Sequence, residues 1–202
     1  MAVESSAPRR PPTRDRIVAA ARELITARGV RGLRIADATD TAGVGRGSFY
    51  NHFGSLDELV EAVVSESLRT LATTTLAGID AYEDPAVAAS TADRRFVRTA
   101  YDDPEFARLL VHLGHSDSLF LTAIAPYARR VLDRGLVSGR FRVTDLDVAL
   151  TVLCGGAVAT IRTILEGSAP PDADRVHAEL TLLQFGIAPS EAAAISRMPL
   201  EG

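Results

Sequence analysis

The sequence predicts an all-α protein of nine or ten helices, on three observations. Between breaks, apolar residues return every three or four positions, the spacing that gathers them on one helical face. The breaks themselves are glycines and two Asp-Pro pairs, which respectively stop helices and start them. No segment offers a clear footing for a strand, and no internal repeat is evident.

Residues 1 to 12, MAVESSAPRRPP, are rich in proline, serine and alanine and read as a disordered arm. A first helix is expected from about Thr13 to Arg28, with Ile17, Ala20, Ala21, Leu24 and Ile25 on one stripe and Gly29 as its stop. A short second helix lies near Ile35 to Thr41; Gly43 ends it, and the chain re-enters helix at about Gly45 to Asn51. Gly54-Ser55 breaks the pattern again. Ser55-Leu56-Asp57-Glu58 then reads as a capping box opening a long helix, with Leu56, Leu59, Val60, Val63, Val64 and Leu71 on its apolar side.

Asp84-Pro85 and Asp103-Pro104 each place an N-cap before a proline suited to the first helical position. Helices are therefore expected from about Pro85 to Tyr101 and from Pro104 to Leu113. The next, about Asp117 to Val137, contains Pro126, whose missing N–H and ring clash predict a kink or a split. After Ser138-Gly139-Arg140 comes the most apolar segment, about Asp145 to Glu166, closed by Gly167. Helices near Asp172 to Phe185 and Pro189 to Arg197 complete the set.

With 202 residues, 47% of them apolar, the chain has material for one or two cores. We read an arm over 1–12, a three-helix domain over 13–60 and a larger helical domain over 61–202. Charges interrupt the longest apolar stretches and the first twelve residues hold no apolar run, so neither a membrane span nor a signal peptide is expected, and the compartment is the cytoplasm. The single cysteine, Cys154, excludes an intrachain disulfide and lies in an apolar run, as a buried inert thiol or else a redox or ligand-lining group. No cofactor is implied.

The net charge of -4 conceals a split: residues 1–53 hold nine arginines against five acids, and the remainder thirteen against twenty-one. A basic module on an acidic body meets a polyanion by one face. In that module two short helices joined by a tight glycine turn follow a longer helix, which describes a helix-turn-helix DNA-binding unit. The third helix enters the major groove by its N-terminal end, so Gly45 and Gly47 would let backbone approach DNA while Arg46 reaches a base edge, guanine O6 and N7 suiting its fork best. Ser48, Tyr50 and His52 offer donors for phosphate oxygens, with Asn51 among them. Phe49 and Phe53 point inward and hold the helix at its angle.

Residues 13 to 60 resemble the N-terminal domain of the tetracycline-repressor (TetR) family of bacterial transcription regulators. The likeness runs without a gap through Ile17, Ala20, Gly29, Ile35, Asp37, Ala42-Gly43-Val44, Ser48-Phe49-Tyr50, His52-Phe53, Ser55 and Leu59. The later helices resemble the family's C-terminal domain only in number, length and order, and Gly139-Arg140-Phe141 is similar to the turn before its first dimer helix. The resemblance implies a homodimer on a palindromic double-stranded DNA operator, released by a small-molecule effector. Four departures stand out. Arg34 replaces a threonine cap on the second helix, losing that cap and gaining a phosphate or minor-groove contact. Ala38-Thr39 is a smaller packing pair, Gly45 replaces a serine or threonine cap, and Leu56 replaces a phosphate-facing lysine. Arg9, Arg10 and Arg14 of the arm could compensate.

A kink at Pro126 would leave a cavity that Phe96, Tyr101, Phe120 and Tyr127 could line, with His112, His115 or Arg162 available for one polar group of a largely apolar effector. His112 and His115 with nearby Asp117 superficially suggest a metal, but no third ligand is indicated. Segment 145 to 166 is apolar nearly all round and needs burial on two sides. It is expected to pair with its neighbour and their symmetry mates in a four-helix dimer interface through Ala149, Val152, Gly156, Val176, Leu180 and Leu183, unless it is a central core helix. Nothing assembles acid, base and nucleophile, so an enzyme is not expected.

Overall fold

Thr13–Arg28 forms the first helix, α1, because its stripe of Ile17, Val18, Ala20, Ala21 and Ile25 is buried and its interior holds neither glycine nor proline. Gly29, at φ +72°, stops it, and a 3-10 turn at Val30–Gly32 that the periodicity did not foretell leads onward. The computed structural model describes residues 11–75, 77–113 and 117–200, and the side chains of these apart from 74, 75, 109, 112, 113 and 117–124. Ten α-helices and no strand occur among the described residues.

The chain divides into two compact units, 1–63 and 64–202. In the first, α1 packs against α2 (Ile35–Ala42) and α3 (Arg46–Tyr50). Phe49 and Phe53 are fully buried with ring centroids 5.6 Å apart, alongside Ile17, Val18 and Leu59 in the same unit. Arg34 precedes α2 in extended backbone and gives no capping bond, the loss its substitution for threonine implies. The long helix α4 (Leu56–Thr75) opens with Ser55 Oγ accepting from Glu58 N–H at 3.1 Å. The reciprocal bond goes one residue further back, from Gly54 N–H to the Glu58 carboxylate at 2.6 Å.

The second unit is built around α5 (Pro85–Asp102), which packs on α6 (Pro104–Leu113), α7 (Asp117–Val137), α8 (Leu146–Leu165), α9 (Ala173–Gln184) and α10 (Pro189–Ser196). Ala86, Ala88, Ala89, Ser90 and Ala100 keep α5 slim enough for that many neighbours. Asp84 caps it as expected, accepting from Ala86 N–H at 2.8 Å, and Asp103 accepts from Phe106 N–H at 3.1 Å. The Arg140 guanidinium forks onto Asp84 at 2.9 and 3.0 Å and onto Glu191 of α10. Its hydrogen bonds hold the Asp84 carboxyl below the ordinary carboxylate range despite partial burial.

Two expectations need correction and a third is narrowed. Pro126 does not split α7, which runs unbroken from Asp117 to Val137, so of the expected kink or split the split is removed. Ala149, assigned to a dimer face, is buried in the unit's own core with Leu150, Leu182 and Phe185. Gly156 faces α9 of its own chain, since a Cβ there would stand 3.0 Å from His177 Nε2. Ala149 and Gly156 share one reason: α8 buries Ala149, Leu150, Cys154, Ala157, Val158 and Ile161 on one side, leaving only the opposite side, with Val148 and Val152, exposed. By length and apolarity alone α8 could cross a membrane, a reading the sequence discounted; a third of that stretch is buried against its own chain.

Candidate nucleic-acid interface and ligand cavity

The turn between α2 and α3 depends on one glycine and leaves two others unexplained by the chain. Gly43 ends α2 in the left-handed region at φ +63°, its N–H bonded to Asp40 O, while Val44 N–H returns to Thr39 O. The Arg16 guanidinium on α1 donates to the carbonyls of Ala42 and Gly43, the latter at 2.9 Å, and so satisfies the open end of α2. In sequence Arg16 is one more positive charge, yet it serves the turn. Gly45 sits in ordinary extended backbone, and a Cβ at Gly45 or Gly47 would meet nothing within 4 Å. Neither needs to be glycine for the sake of this chain.

Around those glycines Arg46, Tyr50, Asn51 and His52 are exposed and Ser48 is half-buried. Tyr50 rests edge-on against Phe49, centroids 5.3 Å apart, yet remains 54% exposed, its ring anchored and its surface open. Arg34 is exposed at the start of α2. Arg14 is exposed too, but its guanidinium stacks 5.3 Å over the Phe53 ring, which orients it. Arg9 and Arg10 lie outside the described residues.

The second unit holds a small apolar cavity of about 80 Å³ that opens partly to solvent. Phe96 of α5, Tyr127 and Val131 of α7, Leu153, Cys154 and Ala157 of α8, and Phe185 after α9 line it. Tyr101 does not: it is five residues beyond Phe96, about 140° round the helix, and its hydroxyl lies 3.4 Å from the carbonyl oxygens of Pro170 and Pro171. Arg162 is exposed, a hundred degrees on from buried Ile161, and does not line the cavity either. His115 and the side chains of His112 and Phe120 lie outside the described residues. Burial pushes the Cys154 thiol up to about 11, with Asp93 adding to it, so the thiolate is disfavoured.

The sequence reading missed a charged residue in this wall. Asp93 lines the cavity, and its Oδ2 lies 2.8 Å from His177 Nδ1 on α9. Asp93 falls on the stripe of Ala86, Ala89, Phe96 and Ala100, where an acid among apolar residues at helical spacing was the available signal. Among the described residues no group of three or more His, Cys, Asp or Glu could hold a metal.

A short exposed helix behind a tight turn, on a separate unit from a helical body with an apolar cavity, defines a helix-turn-helix unit joined to a second helical domain. The chain belongs to the tetracycline-repressor family. Residues 17–63 match the bacterial regulatory proteins of the tetR family and residues 84–198 match the tetracyclin repressor-like C-terminal domain. Its members are DNA-binding transcription regulators. RolR in complex with the ligand resorcinol is similar at 31% identity and a TM-score of 0.84, over 94% of this chain and 95% of that one. RolR without ligand gives 30% and 0.83, over 93% and 98%. FadR from Bacillus subtilis in complex with stearoyl-CoA, at 17% identity and a TM-score of 0.66 over 86% and 99%, shares the fold. Among curated proteins none matches the sequence closely.

Proposed function

We propose that this regulator is a cytoplasmic repressor that binds a two-fold symmetric operator as a homodimer and is released when a small, largely apolar effector fills the cavity. The observation that carries the DNA reading is Arg46, exposed between two glycines whose missing side chains touch nothing in the chain. Removing both Cβ atoms bares the backbone beside a long fork-shaped donor, an arrangement useful only to something that comes close from outside. The homodimer rests on Val148 and Val152 of α8 and Val176, Leu180 and Leu183 of α9, which are exposed apolar residues on two helices that pack together. The effector reading rests on the cavity, and the resorcinol held by RolR makes compact aromatic rings the first candidates.

Sequencing DNA fragments selected by the purified protein tests the proposal. A palindromic site is expected, with half-sites one or more helical turns of about 34–36 Å apart. Against that site Arg46→Ala should cost about 1–3 kcal/mol and relax preference at one base pair per half-site, while Tyr50→Phe weakens all sequences alike. Arg46→Ala binding as tightly as the parent would remove the base-reading role.

A further inference from the structure

Asp93 stands at a boundary between two environments. On one side it borders the cavity, whose other described lining residues are aliphatic and aromatic apart from Tyr127, Cys154 and Thr181. On the other, its Oδ2 meets His177 Nδ1 at 2.8 Å, with the two side chains 5% and 11% exposed. His177 is in turn confined by α8, since Gly156 leaves just the room its Nε2 needs. The carboxylate is thereby held by one oxygen, while Oδ1 makes no hydrogen bond among the described residues. The neighbouring guanidinium of Arg94 is engaged with Asp174 and with Met198 O.

An ionised carboxylate accepts hydrogen bonds and donates none. We infer that the cavity selects a neutral, hydroxyl-bearing aromatic molecule whose O–H donates to Asp93 Oδ1, and that it rejects carboxylate ligands. This rests on the reading of the cavity as the effector site. Phe96, Tyr127 and Phe185 supply ring contacts, and Asp93 supplies the acceptor that fixes the ring's orientation. A ligand carboxylate would set like charges together in a mostly apolar space, which is costly. An isostere without a donor leaves the Asp93 oxygen buried and unpaired, the situation in which polar sites discriminate most sharply. His177 is a positioning residue: it fixes the carboxylate and touches no ligand.

The test is calorimetric binding of four probes of similar size to the full chain: 3-methylphenol, 3-methylanisole, toluene and 3-methylbenzoate. The phenol should bind at least about tenfold more tightly than its methyl ether or toluene, and the benzoate should not bind, because only the phenol can donate without carrying charge. Asp93→Leu should erase the phenol's advantage while still binding toluene, which also shows that its cavity is folded. His177→Leu should narrow the phenol-to-ether ratio, and His177→Gln, which can still donate to Asp93, should keep it. Toluene binding with no gain from the hydroxyl, a phenol advantage that survives Asp93→Leu, or tight binding of the benzoate each overturns the inference and leaves the cavity reading intact. If neither toluene nor the phenol binds, the cavity reading falls and this inference with it.

Discussion

Arg94 Nε lies 3.1 Å from Asp174 Oδ2, with both side chains only 4% exposed, so a residue of α5 and one of α9 form a buried ion pair across 80 positions of sequence. The same guanidinium donates to Met198 O at 2.5 Å and ties down the segment after α10. Taking such a pair out of water is costly, and the cost is offset only while both members are present. Asp174→Ala should therefore destabilise the protein by about 3–5 kcal/mol, whereas the double replacement Arg94→Met with Asp174→Leu should cost far less. Urea unfolding of the two variants checks this; equal losses would mean that the pair, rather than the stranded charge, supplies the stability.

Gly135 lies buried inside α7, and the reason is Phe141: a Cβ at Gly135 would stand 1.9 Å from Phe141 Cδ2. Phe141 cannot retreat freely, since its ring packs on Phe185 at 5.1 Å and its N–H bonds to Gly135 O at 2.9 Å. Gly135→Ala should destabilise by about 1–3 kcal/mol despite the higher helix propensity of alanine. Thermal unfolding of Gly135→Ala with and without Phe141→Leu checks the cause, because the smaller side chain should recover part of the loss.

What could be read from the sequence was local. Asp84-Pro85, Asp103-Pro104 and Gly43 act on backbone groups within a few residues of themselves, so their roles follow from spacing alone. The tip of α3 is legible for the same reason, its exposed donors and bare glycines falling in one eight-residue run, 45–52. The cavity wall was only partly legible. Phe96 lines the cavity, but Tyr101 stands about 140° round the same helix from it, and the charge of Arg162 says nothing of which way its side chain faces. Arg94 with Asp174, Arg16 with the end of α2, and Asp93 with His177 each join distant segments, so a single sequence shows the members without the pairing.

Stability should carry a pH signature from His177. Burial on its own would lower the imidazole's pKa, but the hydrogen bond and negative charge of Asp93 outweigh it, and the net shift is upward. A folded value above the unfolded one of about 6.5 means a contribution fully present below that pH and lost as pH rises through the folded value. The Arg94 and Asp174 charges nearby in sequence are paired with each other and do not reverse the sign. The melting-temperature advantage of the parent over His177→Gln should therefore shrink as pH rises from about 6 to about 9. An advantage that grows over that range would show that His177 is held neutral.

The proposed dimer makes a prediction that separates assembly from folding. Leu180 is 59% exposed in the single chain, so a charge placed there stays in water while the protein is a monomer. In a two-fold assembly through α8 and α9 it would be taken out of water on both copies, beside the exposed Val152 and Val176 of the same face. Leu180→Glu should thus dissociate the dimer and leave the helical content and cavity of each chain unchanged. A substitution at Ala149, which belongs to the core, should instead lower stability without a selective effect on assembly. Light scattering gives the mass, circular dichroism the fold, and selected-fragment binding the consequence, since a monomer reaches one half-site at a time and should lose most of its operator affinity. If Leu180→Glu stays dimeric at micromolar concentration, the interface lies on another face; if it becomes monomeric yet binds the palindrome as tightly as the parent, two-fold recognition is wrong.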